Sequence, residues 1–146
     1  MLLKKGGGNM ITWEYLAGFT DADGSIGCYS NASDNKARPR ITWTQKSVLI
    51  LDEIQEFLHI TLGLAKRPIT EYFPPAGGSA CNLAIANGDA VEAILTNLIP
   101  YLVIKKHVAI TALKVLADNG ERHSRVYAPR IHKPTAYERA QEMEAR

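Results

Sequence analysis

The chain has 146 residues, 46% of them hydrophobic, and a formal net charge of +2. This length suits one globular domain with a hydrophobic core, and no stretch approaches the roughly 20 apolar residues of a membrane helix, so we expect no membrane partner. Residues 1–9 hold lysines and glycines without an apolar run of signal-peptide length, so we interpret them as a flexible leader before a single domain at 10–146. We therefore expect an intracellular, non-secreted protein.

The first predicted helix runs from about Trp13 to Ala22, because Thr12 suits its N-terminal cap and Gly24 its end. Gly18 within this helix costs about 0.8–1.0 kcal/mol relative to alanine. Small residues spaced like Gly18 and Ala22 let a second helix approach closely, and a candidate partner is the same helix of a second chain.

Two carboxylates, Asp21 and Asp23, stand at the end of this helix. The partial negative charge of a helix C-terminus disfavours a carboxylate there by roughly 0.3–1 kcal/mol, so stability alone does not explain them. A divalent cation held by a carboxylate, a helix-end carbonyl and substrate phosphate oxygens turns this cost into a gain, and Mg²⁺ suits such ligands. The pattern therefore indicates a metal site.

Alternating residues predict a hairpin with strands at about 25–29 and 38–45, a turn at 31–35, and a second strand pair at about 66–72 and 80–86. The side chains predicted to face the core are Ile26, Cys28, Ile41, Trp43, Ile69, Phe73, Cys81, Leu83 and Ile85. Because the cysteines have no zinc-ligand spacing, we expect buried free thiols and a reducing compartment.

Hydrophobic stripes predict three further helices. One is capped by Ser47 and ends before Gly63, and the others cover 89–98 and about 105–117. A capping box at 135–138 predicts a short terminal helix.

Charge is unevenly distributed along the chain. The charged residues at 25–46 are mostly basic, whereas residues 47–64 include acidic residues and no lysine or arginine. We expect these two segments to lie on opposite faces of one layer.

Residues 16–24 read Leu-Ala-Gly-Phe-Thr-Asp-Ala-Asp-Gly and resemble the motif of the LAGLIDADG homing endonucleases. They differ from it only at Phe19 and Thr20, which we interpret as tolerant apolar sites. The motif occurs once, so the resemblance implies the single-motif, homodimeric branch. It also implies an α+β fold of order αββαββα, with a four-stranded antiparallel saddle sheet and helices on one face.

The resemblance also implies roles for individual residues. Asp23, with the carbonyl of Ala22, is expected to hold Mg²⁺, with Mn²⁺ and Ca²⁺ as alternative occupants. Gln45 is expected to orient the attacking water, and Lys105 to stabilise developing phosphate charge or to lower the pKa of a water. We expect Asp21 to be structural and, with Gly18 and Ala22, to lie at the dimer interface. The supporting basic residue of the family is missing near Leu49, and Lys46 and Lys106 are candidate substitutes.

The uncovered sheet face suits the major groove of double-stranded DNA. The residues expected to contact DNA are Ser25, Gly27, Tyr29, Asn31, Lys36, Arg38, Arg40, Thr42, Thr44, Lys66, Thr70, Tyr72 and Asn82. Strands of about eight residues span about 26 Å, or roughly eight base pairs in each half-site. A homodimer therefore suits a long pseudo-palindromic site.

These features predict a sequence-specific, Mg²⁺-dependent DNA endonuclease, and the resemblance implies a role in intron mobility. Two rival interpretations share the fold: an RNA-splicing maturase, with RNA as its partner, and a DNA-binding regulator that does not cleave. The presence of Asp23, Gln45 and Lys105 favours cleavage. The host compartment, archaeal cytoplasm or an organelle, stays open.

Overall fold

The computed structural model describes residues 11–30, 36–73 and 75–119, together with 140, 143 and 144. The predicted leader at 1–9, the turn at 31–35 and the capping box at 135–138 lie outside these residues. Among the described residues, no helix combines the length and hydropathy that spanning a membrane requires. In chain order the elements are α1 (Trp13–Asp23), β1 (Gly24–Ser30), β2 (Ala37–Gln45), α2 (Val48–Leu62), β3 (Thr70–Tyr72), β4 (Ala80–Ile85), α3 (Gly88–Leu98), a short 3₁₀ helix (Ile99–Tyr101) and α4 (Lys106–Asp118).

The four strands form one antiparallel sheet in the order β1-β2-β4-β3. In the centre of the sheet, Ile41 of β2 lies between Ile26 of β1 and Ile85 of β4. All three side chains are buried against the helices, whereas Arg40 and Ala84 on the other face are exposed. The predicted α+β fold, with helices on one sheet face, is confirmed for the described residues.

The core lies between this sheet face and the helices. The largest fully buried side chains include Leu16, Trp43, Leu83, Ile94 and Leu113, one from each of α1, β2, β4, α3 and α4. The helical stripes were predicted correctly, because an amphipathic period depends only on local spacing. The residues in helical conformation at the C-terminal end, Ala140 and Met143, also pack against this core.

Helix ends differ in detail from the sequence prediction. Gly63 ends α2 in the left-handed conformation, with φ of 70°, as a C-terminal glycine does. Ser47 is the N-cap residue of α2, as predicted, but its side chain makes no capping hydrogen bond. The N-cap of α3 is Asn87, whose Oδ1 accepts a hydrogen bond from the Ala90 main-chain N–H at 3.1 Å.

The third strand is shorter than predicted, because only Thr70–Tyr72 pairs with β4. Pro68, which has no main-chain N–H to donate, lies in the segment that was expected to be strand. Lys66 therefore does not project from the sheet, and its ammonium pairs with Glu56 of α2. Phe73 is 70% exposed and Ile69 is only partly buried, so Phe73 was wrongly assigned to the core.

The cysteines are free but not buried as expected. Cys28 is exposed and Cys81 is half-buried. Cys28 shares the inward side of β1 with Ile26, yet β1 is an edge strand, and there Cys28 lines an open groove with His107 and Val108 of α4. Partial desolvation in this groove raises the pKa of the Cys28 thiol.

Candidate metal and nucleic-acid site

The last turn of α1 carries the two motif carboxylates. Thr12 Oγ1 accepts a hydrogen bond from the Tyr15 main-chain N–H at 3.0 Å, which fixes the start of the helix as predicted. Gly24 follows its last residue with φ of −91°, a conformation open to any residue. Glycine is needed there because a Cβ at this position would lie 2.9 Å from the main chain of Thr20. The first residue of β1 therefore packs closely against the last turn of α1.

Asp23 and Gln45 are in hydrogen-bond contact at this junction. Gly24 pairs with Trp43 in the register of β1 and β2, so the residue before Gly24 meets the end of β2. Gln45 Nε2 donates to Asp23 Oδ2 at 3.2 Å, and Gln45 Oε1 accepts from the Lys46 main-chain N–H at 3.0 Å. Asp23 is exposed, so its carboxylate is open to an ion and to substrate.

The Asp21 carboxylate bonds to the segment before α4. Its Oδ2 accepts from the Val103 main-chain N–H at 2.8 Å, and its Oδ1 accepts from that of Lys105 at 2.9 Å. Burial raises the pKa of Asp21, but hydrogen bonds from the main-chain N–H groups of Val103, Lys105 and Ile104, with the Lys105 charge, outweigh it and hold the pKa below its ordinary value. Asp21 is therefore ionised, and both of its carboxylate oxygens already accept hydrogen bonds from its own chain.

Lys105 is brought to the same end of α1. Its ammonium donates to the main-chain carbonyl of Asp21 at 2.6 Å, and Lys106 begins α4 directly after it. A cation near the free carbonyls of a helix C-terminus is favourable by itself, typically by 0.3–1 kcal/mol. Of the two candidate substitutes for the missing basic residue, Lys46 is exposed beside Gln45 and Lys106 is half-buried.

The donor groups at this end fit a hard divalent cation that also binds substrate. Among the described residues, no group of three or more His, Cys, Asp and Glu side chains could enclose a metal ion. Because Asp21 is engaged with main-chain N–H groups, Asp23 is the available motif carboxylate, and the adjacent Ala22 carbonyl belongs to the helix end. Mg²⁺ is commonly held by one or two carboxylates plus phosphate oxygens, which suits this set.

The uncovered sheet face is polar and basic, as expected. Ser25, Tyr29, Arg38, Arg40 and Thr70 are exposed on it, and Gly27, Thr42, Thr44 and Asn82 are partly exposed. The guanidinium of Arg40 lies 4.4 Å from the ring centroid of Tyr29, and Thr44 Oγ1 donates to Asn82 Oδ1 at 2.5 Å. Lys36 is exposed just before β2, Tyr72 belongs to β3, and Asn31 lies outside the described residues.

Residues 16–115 match the model of the LAGLIDADG endonuclease family. This chain belongs to that family. No curated protein sequence matches it. The match begins within α1 at Leu16, the first motif residue.

Two solved structures of LAGLIDADG proteins share the fold. The homing endonuclease I-GzeII in complex with its DNA target is similar with a TM-score of 0.59 and 20% identity, over 75% of this chain and 36% of that chain. The meganuclease I-AabMI bound to uncleaved DNA gives 0.54 and 19%, over 75% of this chain and 38% of that chain. The homing endonuclease I-CvuI, in a DNA complex with Mg, gives 0.48 and 21%, over 91% and 92% of the two chains.

One residue of the LAGLIDADG motif has a role that the sequence prediction missed. Thr20 is fully buried, and its hydroxyl donates to the Leu16 carbonyl at 2.6 Å and accepts from Trp43 Nε1 at 2.9 Å. Our interpretation of this position as a tolerant apolar site was therefore wrong. The signal was available, because Trp43 was expected in the core and a buried indole N–H needs an acceptor.

The motif helix leaves its small-residue face open. Gly18 and Ala22 are exposed, and a Cβ placed on Gly18 would meet no atom of the described residues within 4 Å. The part of the chain that the structure describes therefore gives no packing reason for glycine at this position. The role of Gly18, Ala22 and Asp21 in a dimer stays a prediction.

Proposed function

We propose that this LAGLIDADG protein is a sequence-specific endonuclease that cleaves both strands of a long pseudo-palindromic DNA site as a homodimer with Mg²⁺, and thereby promotes mobility of an intron that encodes it. The observation that carries the proposal is the contact between Asp23 and Gln45, at the helix end to which Asp21 also draws Lys105. An acceptor, an amide and a cation converge there beside a polar sheet face.

Each residue at this helix end can contribute to phosphodiester hydrolysis. Asp23 and the Ala22 carbonyl would hold the cation, which when bound supplies Lewis acidity and neutralises phosphate charge. Gln45, held by Asp23 and by the Lys46 main chain, presents a fixed amide that orients the attacking water. The Lys105 ammonium offers positive charge to the phosphate as its negative charge grows.

Homodimerisation through α1 would bring two such sites together. The proposed contact face consists of Gly18 and Ala22, with exposed Tyr15 one turn earlier on the helix. The segment bonded to Asp21 adds apolar surface at the end of α1, because Val103 is 82% exposed and Ile104 73% exposed. A second copy would remove these side chains from water, at about 25 cal/mol per Å² of apolar area.

The sheet face would supply the specificity. Arg38 and Arg40 project from β2 beside Tyr29 of β1, and β-strands can enter the major groove to read base edges. A two-fold symmetric protein reads a site with the same symmetry, so the two half-sites should be inverted copies of each other. The protein would act inside the cell, where such DNA is found.

The experiment that tests the proposal is a selection of cleaved sites. The purified protein is incubated with Mg²⁺ and a plasmid library of random inserts, and the cut ends are sequenced. We expect one long, nearly symmetric site and a staggered break at its centre. Asp23→Asn should abolish cutting, whereas Asp52→Asn, a matched change at an exposed carboxylate of α2, should leave it intact.

Other outcomes would favour the rival functions. Tight, site-specific binding by the wild-type protein without any cutting would indicate a DNA-binding regulator. Tighter binding to intron RNA than to duplex DNA in a gel shift would indicate a maturase. Equal cutting by wild type and Asp23→Asn would show that Asp23 is not part of the catalytic site.

A further inference from the structure

Two hydrogen bonds connect α1 to β2 in parallel. Thr20 and Asp23 stand three residues apart on the helix, or about 4.5 Å along its axis, and Trp43 and Gln45 stand two apart on the strand, or about 6.6 Å. The first bond joins Trp43 to Thr20 at 2.9 Å, and the second joins Gln45 to Asp23 at 3.2 Å. The two contacts are therefore adjacent steps of one helix-to-strand junction.

The two bonds differ in their surroundings. Thr20 and Trp43 are both 0% exposed, so water cannot replace either partner. The bond between Gln45 and Asp23 lies at the surface, where water competes for both groups. A hydrogen bond in the low dielectric of a core is stronger than one in water, so the buried contact is the stiffer of the two.

Further contacts around Thr20 and Trp43 restrict movement of the nearby Asp23 and Gln45. The Thr20 hydroxyl is also tied to the Leu16 carbonyl of its own helix at 2.6 Å, which fixes the orientation in which it accepts from Trp43. Gly24, which pairs with Trp43 across the sheet, packs directly on the main chain of Thr20. A shift of β2 along α1 would have to break the buried bond before it could move Gln45 away from Asp23.

We propose that Thr20 and Trp43 are positioning residues, which hold the end of β2 in the register that places the Gln45 amide on the Asp23 carboxylate. This inference rests on the proposed function for its effect on catalysis, but not for its effect on geometry. Arg38 and Arg40 lie toward the other end of β2, where pairing with β1 holds them, so DNA affinity should depend on this pair much less than the cutting rate does. Misplacement of reacting groups by about 1 Å can cost about 100-fold in rate.

Four variants separate positioning from simple stability. Thr20→Val keeps the shape and removes the hydroxyl, Thr20→Ser keeps the hydroxyl, and Trp43→Phe removes the donor. Thr96→Val on α3 is the matched control, because the Thr96 hydroxyl is buried and has no hydrogen-bond partner among the described residues. Each variant is assayed at a temperature at which circular dichroism finds it folded.

The first measurement is kinetic. The rate of cutting is measured with Mg²⁺ and excess enzyme on the selected DNA site, and affinity for that site is measured separately in EDTA. We expect Thr20→Val and Trp43→Phe to lower the cutting rate by 10- to 100-fold, with affinity changed less than twofold. Thr20→Ser should restore at least half of the rate, and Thr96→Val should match wild type. An equal loss in rate and in affinity would overturn the proposal, since a general loss of structure affects both.

The second measurement needs no cleavage activity. The side-chain amide resonances of Gln45 are followed by nuclear magnetic resonance in the metal-free protein. In Thr20→Val and Trp43→Phe we expect them to move toward their positions in Asp23→Asn, whereas Thr20→Ser and Thr96→Val should keep the wild-type positions. Unchanged Gln45 resonances in Thr20→Val would overturn the positioning role. If wild type cuts no DNA, the proposed function fails, and this resonance test still decides the positioning role.

Discussion

The Gln45 side-chain amide donates a hydrogen bond to Asp23 Oδ2 at 3.2 Å, across the junction of β2 with the motif helix α1. This relationship connects a carboxylate suited to a cation with an amide suited to a water molecule. We expect Gln45→Ala to lower the rate of DNA cleavage by about 100-fold, in the range typical of a lost acid–base or orienting group. Single-turnover cutting at saturating Mg²⁺ measures this change.

A matched substitution provides the control for Gln45. Gln55 on α2 also accepts a main-chain hydrogen bond, from Arg67, but lies on a different element from the junction. Gln55→Ala should therefore change the cutting rate less than twofold. If Gln45→Ala cuts as fast as Gln55→Ala, the water-orienting role of Gln45 is wrong.

Asp21 should act on stability through its bonds to Val103 and Lys105. Asp21→Asn keeps an acceptor oxygen but removes the charge, and we expect it to lower the free energy of unfolding by about 1–2 kcal/mol at pH 7. Urea unfolding followed by circular dichroism measures the loss. Asp52→Asn, at an exposed site, should change it by less than about 0.5 kcal/mol.

The effect of Asp21 should also depend on pH. Because its pKa in the folded protein lies below the ordinary 3.8, the ionised carboxylate stabilises the fold above the unfolded-state pKa, and this contribution disappears as the pH falls through the folded-state pKa. The stability gap between wild type and Asp21→Asn should be constant above about pH 5 and should narrow below it. A gap of unchanged size in the most acid buffers would contradict the assigned ionisation.

Arg40 is exposed on the uncovered face, where it lies against the ring of Tyr29, and we propose that it reads a base. An arginine that bonds a guanine edge contributes about 1–3 kcal/mol of discrimination. We expect Arg40→Ala to weaken binding by that amount and to relax sequence preference at one position in each half-site. Competition binding with single-base variants of the selected site measures both effects.

Lys66 offers the comparison for Arg40. It pairs with Glu56 of α2 and lies before β3 begins, so Lys66→Ala should alter affinity much less and leave sequence preference unchanged. A loss of preference with Lys66→Ala and none with Arg40→Ala would reverse our assignment of the DNA-reading face.

Gly18 tests the proposed dimer. A Cβ at this position meets nothing among the described residues, so Gly18→Ala should stabilise α1 in the monomer by about 0.8–1.0 kcal/mol through helix propensity. If a second α1 packs there, the same methyl group should weaken the dimer, and Gly18→Leu should abolish it. Light scattering over a range of micromolar concentrations distinguishes these outcomes, and wild type that stays monomeric throughout would contradict the dimer.

Much of the fold could be predicted because local patterns determine it. The stripes of α2 and α3 and the alternation around Ile41 each reflect a periodicity that is complete within one element. The sequence could indicate that Asp23 and Gln45 belong to one site, because the motif contains Asp23 and the family resemblance points to Gln45; the structure brings them into contact.

The errors in the sequence prediction arise where tertiary position decides. Cys28 lies on the predicted side of β1, but β1 is an edge strand that α4 does not fully cover. Phe73 follows the other edge strand, which ends at Tyr72. Thr20 was misjudged because its partner, Trp43, is distant in sequence and the bond exists only once α1 packs on β2. No periodicity within one element contains that information.

The most direct test of the central claim is a strand-resolved plasmid assay with protomers of two kinds. Wild type should linearise a supercoiled plasmid carrying the selected site, and Asp23→Asn should leave it supercoiled. Dimers that pair one wild-type chain with one Asp23→Asn chain should nick a single strand and stop at the open circle, because we propose that each Asp23 serves one strand. Linear product from Asp23→Asn dimers at the wild-type rate would contradict the account.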